Sequence, residues 1–348
     1  DWPTNALRRV NDLEAPTSHD VQVASDGASY WQPVCSSFVR RRAADGAVVA
    51  EFDDVCPSGG MNHVQLLDDE TRALVSCRYS NAIVLYDLEA RAPIWVAGGD
   101  DATVDVAGLA RPWAGQHNAE MFGDEIYVFD NAYGQETPSR VLRFRVDGPK
   151  NASVDWSYDL PFPFPHGYAE FFGDADKLPN GNCLASWWPA KLAPSLGLTA
   201  DVSFVEIARG GDVAWRMDFS NTGATVGGPC VDDGDVGCER SKNLGWKAYS
   251  VERFYDGPVV YDAGLVDGAL KFTAHAALKR QRPSPGTWTL LDADDAVLST
   301  GAFDFAKHSL PTKVHLDAPA ASARGAFDAR RLAVEDEWGQ VSYVDCHV

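Results

Sequence analysis

No run of about eighteen apolar residues occurs in the 348-residue sequence, so no segment is long and apolar enough to cross a bilayer as a helix. Positive charge is scarce: 30 lysines and arginines stand against 50 aspartates and glutamates, a net charge of −20. An extended phosphate backbone would meet a repelling field, which argues against nucleic acid as a partner. The seven cysteines include no Cys-x-x-Cys pair and have no histidine at zinc-finger spacing, so structural zinc has no support. Nor is there a Gly-x-Ser-x-Gly elbow, a phosphate-binding loop, a Gly-x-Gly-x-x-Gly after a strand or a His-Glu-x-x-His. Those absences remove serine-hydrolase, nucleotide and zinc-protease chemistry. The acidic runs Asp232-Asp233-Gly234-Asp235 and Asp174-Ala175-Asp176 lack the spacing and distal glutamate of a calcium loop and read as solvated loops. No metal site and no cofactor are expected.

The sequence does contain enough apolar material for a packed core, 45% hydrophobic with 11% aromatic. Cys230 and Cys238 bracket the polar run VDDGDVG, where a local disulfide would staple a loop that has no core of its own. Cys35 with Cys56 is a second candidate pair, and the odd total leaves a thiol free or bonded between chains. Asn151-Ala152-Ser153 is a glycosylation sequon. With a first residue that is Asp rather than Met, these features describe a secreted, extracellular chain, or a periplasmic one if bacterial.

Helical periodicity is rare. Short runs rich in β-branched and aromatic residues, AIVLYD at 82–87, EIYVFD at 125–130 and RVLRFRVD at 140–147, end in turn formers and read as strands. They belong to a repeat: a strand, a second strand ending in an acidic residue, a turn, and a third strand closing on tryptophan. The closing residues Trp95, Trp156 and Trp215 are spaced 61 and 59 apart and are expected in the core. One such unit cannot bury both faces of its sheet, whereas units packed radially share a core. The expectation is therefore an all-β chain, a β-propeller over 1–257 followed by a β-sandwich-like C-terminal domain over 258–348. At about 42 residues per blade six blades fit. A β-sandwich is the rival for the first part, and final propeller strands are the alternative for the second.

Histidines and arginines recur at the edges of the repeated strands. His63 precedes the first strand of its unit and Arg78 stands at that strand's end; His117 precedes EIYVFD and Arg140 follows it; His166 lies ahead of the third unit. In a propeller such positions converge on one channel mouth, where they would form a cationic pocket within an acidic protein. Trp187-Trp188 breaks strand alternation, which turns one ring toward solvent or substrate.

The succession NHVQLL, SCRYSNAIVLYD, IWVAGG, QHNAEMF, IYVFDNAYGQETPSRVLRFRVD and LPNGNCLASWW resembles the arylsulfotransferase superfamily of secreted propeller enzymes, over about residues 58–258. The resemblance implies transfer of a sulfuryl group from a phenolic sulfate ester to a phenol acceptor through a sulfated histidine, without a nucleotide donor. It implies His63, His117 and His166 as catalytic candidates, with His166 the remaining candidate for nucleophile. Arg140, Arg78, Gln65 and Asn118 would bind substrate, Gln65 standing where the family's His-x-Asn motif has asparagine. The alternative is a non-catalytic extracellular propeller that binds a protein or glycan, or assembles with its own copies.

Overall fold

The computed structural model describes residues 20–107, 112–189, 201–219, 248–266, 269–280, 282–307, 310–317 and 331–347. The chain is all-β, and it divides into two compact units between Glu252 and Arg253.

Among the described residues the first unit contains four sheets, antiparallel and formed by consecutive strands except for one added parallel strand in the third. Sheet one comprises β1 (Gln22–Val23), β2 (Ser29–Val34), β3 (Ser37–Arg42) and β4 (Val48–Phe52). Sheet two comprises β5 (Met61–Leu67), β6 (Arg72–Cys77), β7 (Ala82–Asp87) and β8 (Ala92–Ala97). In sheet three the short β9 (Asp105–Val106) lies outside β10 (His117–Phe122), β11 (Glu125–Asp130), β12 (Arg140–Val146) and β13 (Asn151–Asp159), pairing in parallel with the last. Sheet four comprises β14 (Asp174–Lys177), β15 (Cys183–Trp187), β16 (Val202–Ile207) and β17 (Val213–Phe219). Most connections within these meanders run four or five residues, while β2–β3 and β10–β11 are joined by two. Gly123, at φ 70° between β10 and β11, supplies the left-handed residue that such a turn requires.

The first strands are the inner ones, with β5 lying between β2 and β10, and β10 between β5 and β14. The sheets stack face to face, so a middle sheet is buried on both sides. Val64, Val75 and Val84 pack on Trp31, Phe38 and Phe52 of sheet one. Their neighbours Leu74, Ile83 and Leu85 point the other way, onto Ile126, Val128, Leu142 and Phe144 of sheet three. This explains why AIVLY reads as an unbroken apolar run rather than an alternation. Each such side chain contributes about 1.5–3 kcal/mol of burial, and this stacking of meander sheets is propeller-type packing.

In the second unit β18 (Val259–Val266), β19 (Ala269–His275) and β22 (Thr312–Asp317) form a three-stranded sheet. A four-stranded sheet runs in the order β21 (Val297–Phe305), β20 (Ser284–Leu291), β23 (Arg331–Asp336) and β24 (Val341–Asp345). The two share a core of Leu270, Phe272, Trp288, Leu290, Phe305, Leu332 and Val334.

Several expectations need correction. Cys56 is bonded to Cys77 and not to Cys35, whose thiol is free and exposed. The end of β6 brings Cys77 to a Cα–Cα distance of 5.4 Å from Cys56, within the range a disulfide needs. The proposed Cys230–Cys238 bridge lies outside the described residues. Of the three closing tryptophans Trp95 alone is buried; Trp156 and Trp215 are half-exposed on β13 and β17, the last strands of their meanders. Trp187 and Trp188 are both buried, because Trp188 leaves the end of β15 to pack against Phe172. Finally, Asp174-Ala175-Asp176 is no solvated loop but part of the inner strand β14, with both carboxylates buried.

Candidate functional site

The inner strands carry the same pattern, a small or branched residue flanked by two polar ones. Opposite the next strand of its own sheet, His63 faces Ser76 and Gln65 faces Leu74; Glu120 faces Tyr127; Asp174 faces Ser186 and Asp176 faces Leu184. In this register Gln65, Glu120 and Asp176 are equivalent, and His63 and Asp174 match His117, which faces Phe129, while Asn118 falls in the register break between His117 and Glu120. His63, Gln65, Asn118, Glu120, Asp174 and Asp176 are all buried, and several of them bond from one sheet to the next. Gln65 donates through Nε2 to Met121 O (3.1 Å) and accepts from Met121 N (2.7 Å). Asn118 Nδ2 donates to Asp174 Oδ1, and Asp174 Oδ2 accepts from Val251 N at 2.8 Å.

His63 lies between two carboxylates, Nδ1 3.0 Å from Asp20 Oδ2 and Nε2 3.4 Å from Glu120 Oε1. Burial opposes its charge, but the charge and hydrogen bond of Asp20, reinforced by Glu120, lift the imidazolium to about 10. Burial likewise opposes ionisation of Asp20, and His63 with hydrogen bonds from Gln22 and Val64 N overcomes it and lowers that carboxyl. The three residues come from the segment before β1, from β5 and from β10, so this ion triad ties that segment to sheets two and three.

His117 is held differently. Its Nδ1 is 2.7 Å from Asn131 Oδ1 and 3.1 Å from Gly115 O. The Asn131 amide nitrogen donates to Ala169 O and Phe172 O, so its oxygen must be the atom facing the ring. Both neighbours of Nδ1 are therefore acceptors, which assigns the proton of the neutral imidazole to Nδ1 and the lone pair to Nε2. Tyr249 meets the His117 ring edge to face at 5.9 Å and donates its hydroxyl hydrogen to Asn62 O at 2.9 Å. Burial holds the Tyr249 phenol far above its usual range, with Asp20 and Asp174 adding to the shift and Arg78 opposing it, so it stays protonated.

Arg78 follows β6 at the same end of the inner strands. Its guanidinium lies over Tyr79 (5.4 Å), Phe171 (5.1 Å) and Tyr133 (4.9 Å), and Nη2 reaches Glu170 O at 3.4 Å. Its buried Nε has no hydrogen-bond partner in the structure, while Tyr79 and Tyr133 are 64% and 50% exposed. Arg140, by contrast, is occupied: Nε donates to the buried Asp130 (2.9 Å) and Nη2 to Pro112 O (2.8 Å). Removing it strands a carboxylate whose pKa burial already raises. Arg140→Ala is expected to lose about 1–3 kcal/mol of stability, read as a lower urea midpoint. His166 sits in the loop before β14, half-buried, with its backbone N bonded to Pro163 O at 2.8 Å; no hydrogen bond or ion pair joins its ring to His63 or His117. Asn151 is exposed at the start of β13.

The structure thus gathers His63, Asn118, His117 and Arg78 toward one end of the inner strands, while Gln65 lies farther along β5 against Met121 and Arg140 is committed to Asp130. A cavity of about 1010 Å³ beside this end shares Cys77 and Tyr79 with it but is lined by none of the histidines. Among the described residues no group of three or more histidine, cysteine or acidic side chains could hold a metal ion, and no helix is long and apolar enough to cross a membrane. Sequence reasoning gave no role to Asp20, Glu120, Asn131 or Tyr249. The motif residues Glu120 in HNAE and Asn131 in FDN carried a usable signal; Asp20 and Tyr249 carried none.

No known family's sequence profile matches the chain, and no curated protein is similar to it in sequence. Solved structures do resemble it in shape. The Cps50 (Swd1) β-propeller domain of Myceliophteria thermophila superimposes with a TM-score of 0.39 at 10% identity, over 96% of this chain and 88% of that one. Dihydro-heme d1 dehydrogenase NirN gives 0.33 at 9% identity over 88% and 70%. Hsv2 of Kluyvelomyces marxianus gives 0.30 at 8% over 59% and 67%. None of the three is an arylsulfotransferase, and superpositions this loose carry no information about the site.

Proposed function

We propose that the chain is a secreted sulfuryl transferase of the arylsulfotransferase type, a six-bladed propeller with a C-terminal sandwich, in which His117 accepts the sulfuryl group. The observation that carries this reading is the His117 imidazole, clamped at Nδ1 by Asn131 and Gly115 so that Nε2 holds the lone pair. A neutral imidazole in that state is a competent nucleophile near neutral pH. Arg78 supplies the anion-binding group at the same end, and the rings of Tyr79, Tyr133 and Phe171 around it suit the aryl part of a phenolic sulfate. Nε2 forms a bond to sulfur as the ester S–O bond breaks. The phenolate leaves and takes a proton from solvent, and a second phenol then attacks the sulfated imidazole and releases its own proton. The Cys56–Cys77 disulfide fits the oxidising compartment of a secreted protein.

Incubation with an aryl sulfate followed by peptide mass spectrometry tests this. The expected result is one added SO3 on the peptide carrying His117, with one equivalent of phenol released in a burst. An adduct on His166 would reassign the nucleophile, and no adduct with no phenol would overturn the reading.

A second reading, a non-catalytic extracellular propeller that binds a protein or glycan, is favoured by one observation. His63 and Arg140, two of the cations expected to hold sulfate, are already matched by Asp20, Glu120 and Asp130. The absence of any adduct would select it.

A further inference from the structure

Cys35 occupies the first central position of the two-residue turn between β2 and β3, whose flanking residues Val34 and Ser37 pair. Its φ of 56° lies in the left-handed region, where a turn of this kind ordinarily places glycine. The turn bonds one half of the disulfide directly and the strand neighbour of the other: Cys56 N donates to Ser36 O at 2.9 Å, and Met61 N, on the residue paired with Cys77, donates to Cys35 O at 3.1 Å. A free, exposed thiol therefore stands on a turn whose backbone is bonded to Cys56 of a buried disulfide.

Spacing adds a second, independent fact. Cys77 stands 21 residues after Cys56, and Cys35 stands the same 21 residues before it. Loop-closure entropy is then equal for the two pairings. Only native geometry separates their free energies.

We propose that Cys35, Cys56 and Cys77 form a thiol–disulfide exchange site with two pairings. The Cys35 thiol gives its proton to solvent and its thiolate attacks Cys56 Sγ. The Cys35–Cys56 bond forms as the Cys56–Cys77 bond breaks, and Cys77 leaves as a thiolate that takes up a proton. No oxidant or reductant is consumed. Val55 O, 3.8 Å from Cys77 Sγ, is placed to accept the new S–H. Cys77 immediately precedes Arg78, so the exchange acts on the end of β6 that carries the guanidinium. The proposal stands apart from sulfuryl transfer and holds or fails without it.

The test maps disulfides in the full chain. The protein is equilibrated in a glutathione redox buffer, quenched in acid, alkylated, and digested without reduction. The expected result is a Cys35–Cys56 peptide at about 1–10% of the total, the range of a minor native state, with a matching alkyl group on Cys77. Cys35→Ser should abolish both signals. Cys77→Ser should carry the Cys35–Cys56 bond in nearly every monomer. Only Cys56–Cys77 with alkylated Cys35 at equilibrium overturns the proposal, as does glutathione on Cys35 with the native bond intact. A folded Cys77→Ser chain that alkylates at both remaining sites overturns it equally. Should Cys77→Ser fail to fold, the parent protein and Cys35→Ser decide alone.

Discussion

His63→Ala is expected to lose about 3–5 kcal/mol of stability, the range for breaking a buried ion pair by deleting one partner. The substitution leaves Asp20 and Glu120 facing each other without the cation that both touch. It also removes a link between the segment before β1, β5 and β10, so that segment and sheets two and three loosen together. The pH dependence separates this electrostatic role from simple packing. His63 is raised from 6.5 to about 10 in the folded protein. A group raised on folding contributes its full stability below the unfolded value and loses it as pH rises through the folded one. Stability from His63 is thus complete below pH 6.5, falls between 6.5 and 10, and is gone above. Asp20, lowered from 3.8, works in the opposite sense: its contribution is present above that value and is lost as pH falls. Urea midpoints measured from pH 5 to 10.5 should decline on the alkaline side in the parent protein, whereas the His63→Gln profile should be flatter there. Parallel profiles for the two would show that His63 is neutral in the fold.

Much of the architecture follows from local pattern, and the exceptions have identifiable physical causes. Strands at 82–87 and 125–130 are legible because β-branched and aromatic runs end at turn formers, and sheet two is apolar on both faces because it is sandwiched. The Asp174-Ala175-Asp176 strand is not legible, since nothing local distinguishes a carboxylate pair in water from one that meets Asn118 and a backbone N–H across sheets. Cys56 has potential partners at equal distance on either side, so spacing is silent and the end of β6 decides. The cationic pocket read from recurring His and Arg positions is a question of partners rather than of position. Those residues do cluster at strand ends, but the sequence hides Asp20, Glu120 and Asp130, which neutralise His63 and Arg140. Arg78 is the group whose surroundings are aromatic rather than acidic, and that difference appears only once Tyr133 and Phe171 are brought beside it from other segments.

His117→Ala is expected to abolish turnover of an aryl sulfate, since the other imidazole of this cluster, His63, lies between Asp20 and Glu120 with its pKa raised to about 10 and has no lone pair to offer near neutral pH. Arg78→Ala should slow the reaction by about 10²–10³-fold, the cost of removing a fixed donor from charge that grows in the transition state. Asn131→Leu discriminates the mechanism more finely. Asn131 touches neither substrate nor sulfur but fixes the proton on Nδ1, and without it the ring can turn or place its proton on Nε2. The consequence is a fall in kcat with little change in KM, because the fraction of correctly oriented imidazole drops while Arg78 and its aromatic rings still bind the ester. The urea midpoint falls in this variant in either case, because Asn131 also donates to Ala169 O and Phe172 O, so KM is the discriminating readout: a defect in the binding site would raise it. Asn131→Asp gives the opposite electrostatic result: it loses the two bonds that Nδ2 donates to Ala169 O and Phe172 O, but the carboxylate oxygen beside Nδ1 still accepts and stabilises the protonated ring. Its rate should therefore approach the parent's only at higher pH, as the raised imidazole deprotonates. An alkaline shift for Asn131→Asp, beside a pH-independent loss for Asn131→Leu, is the signature of His117 acting through Nε2; unchanged pH profiles in both variants would remove His117 from the chemistry.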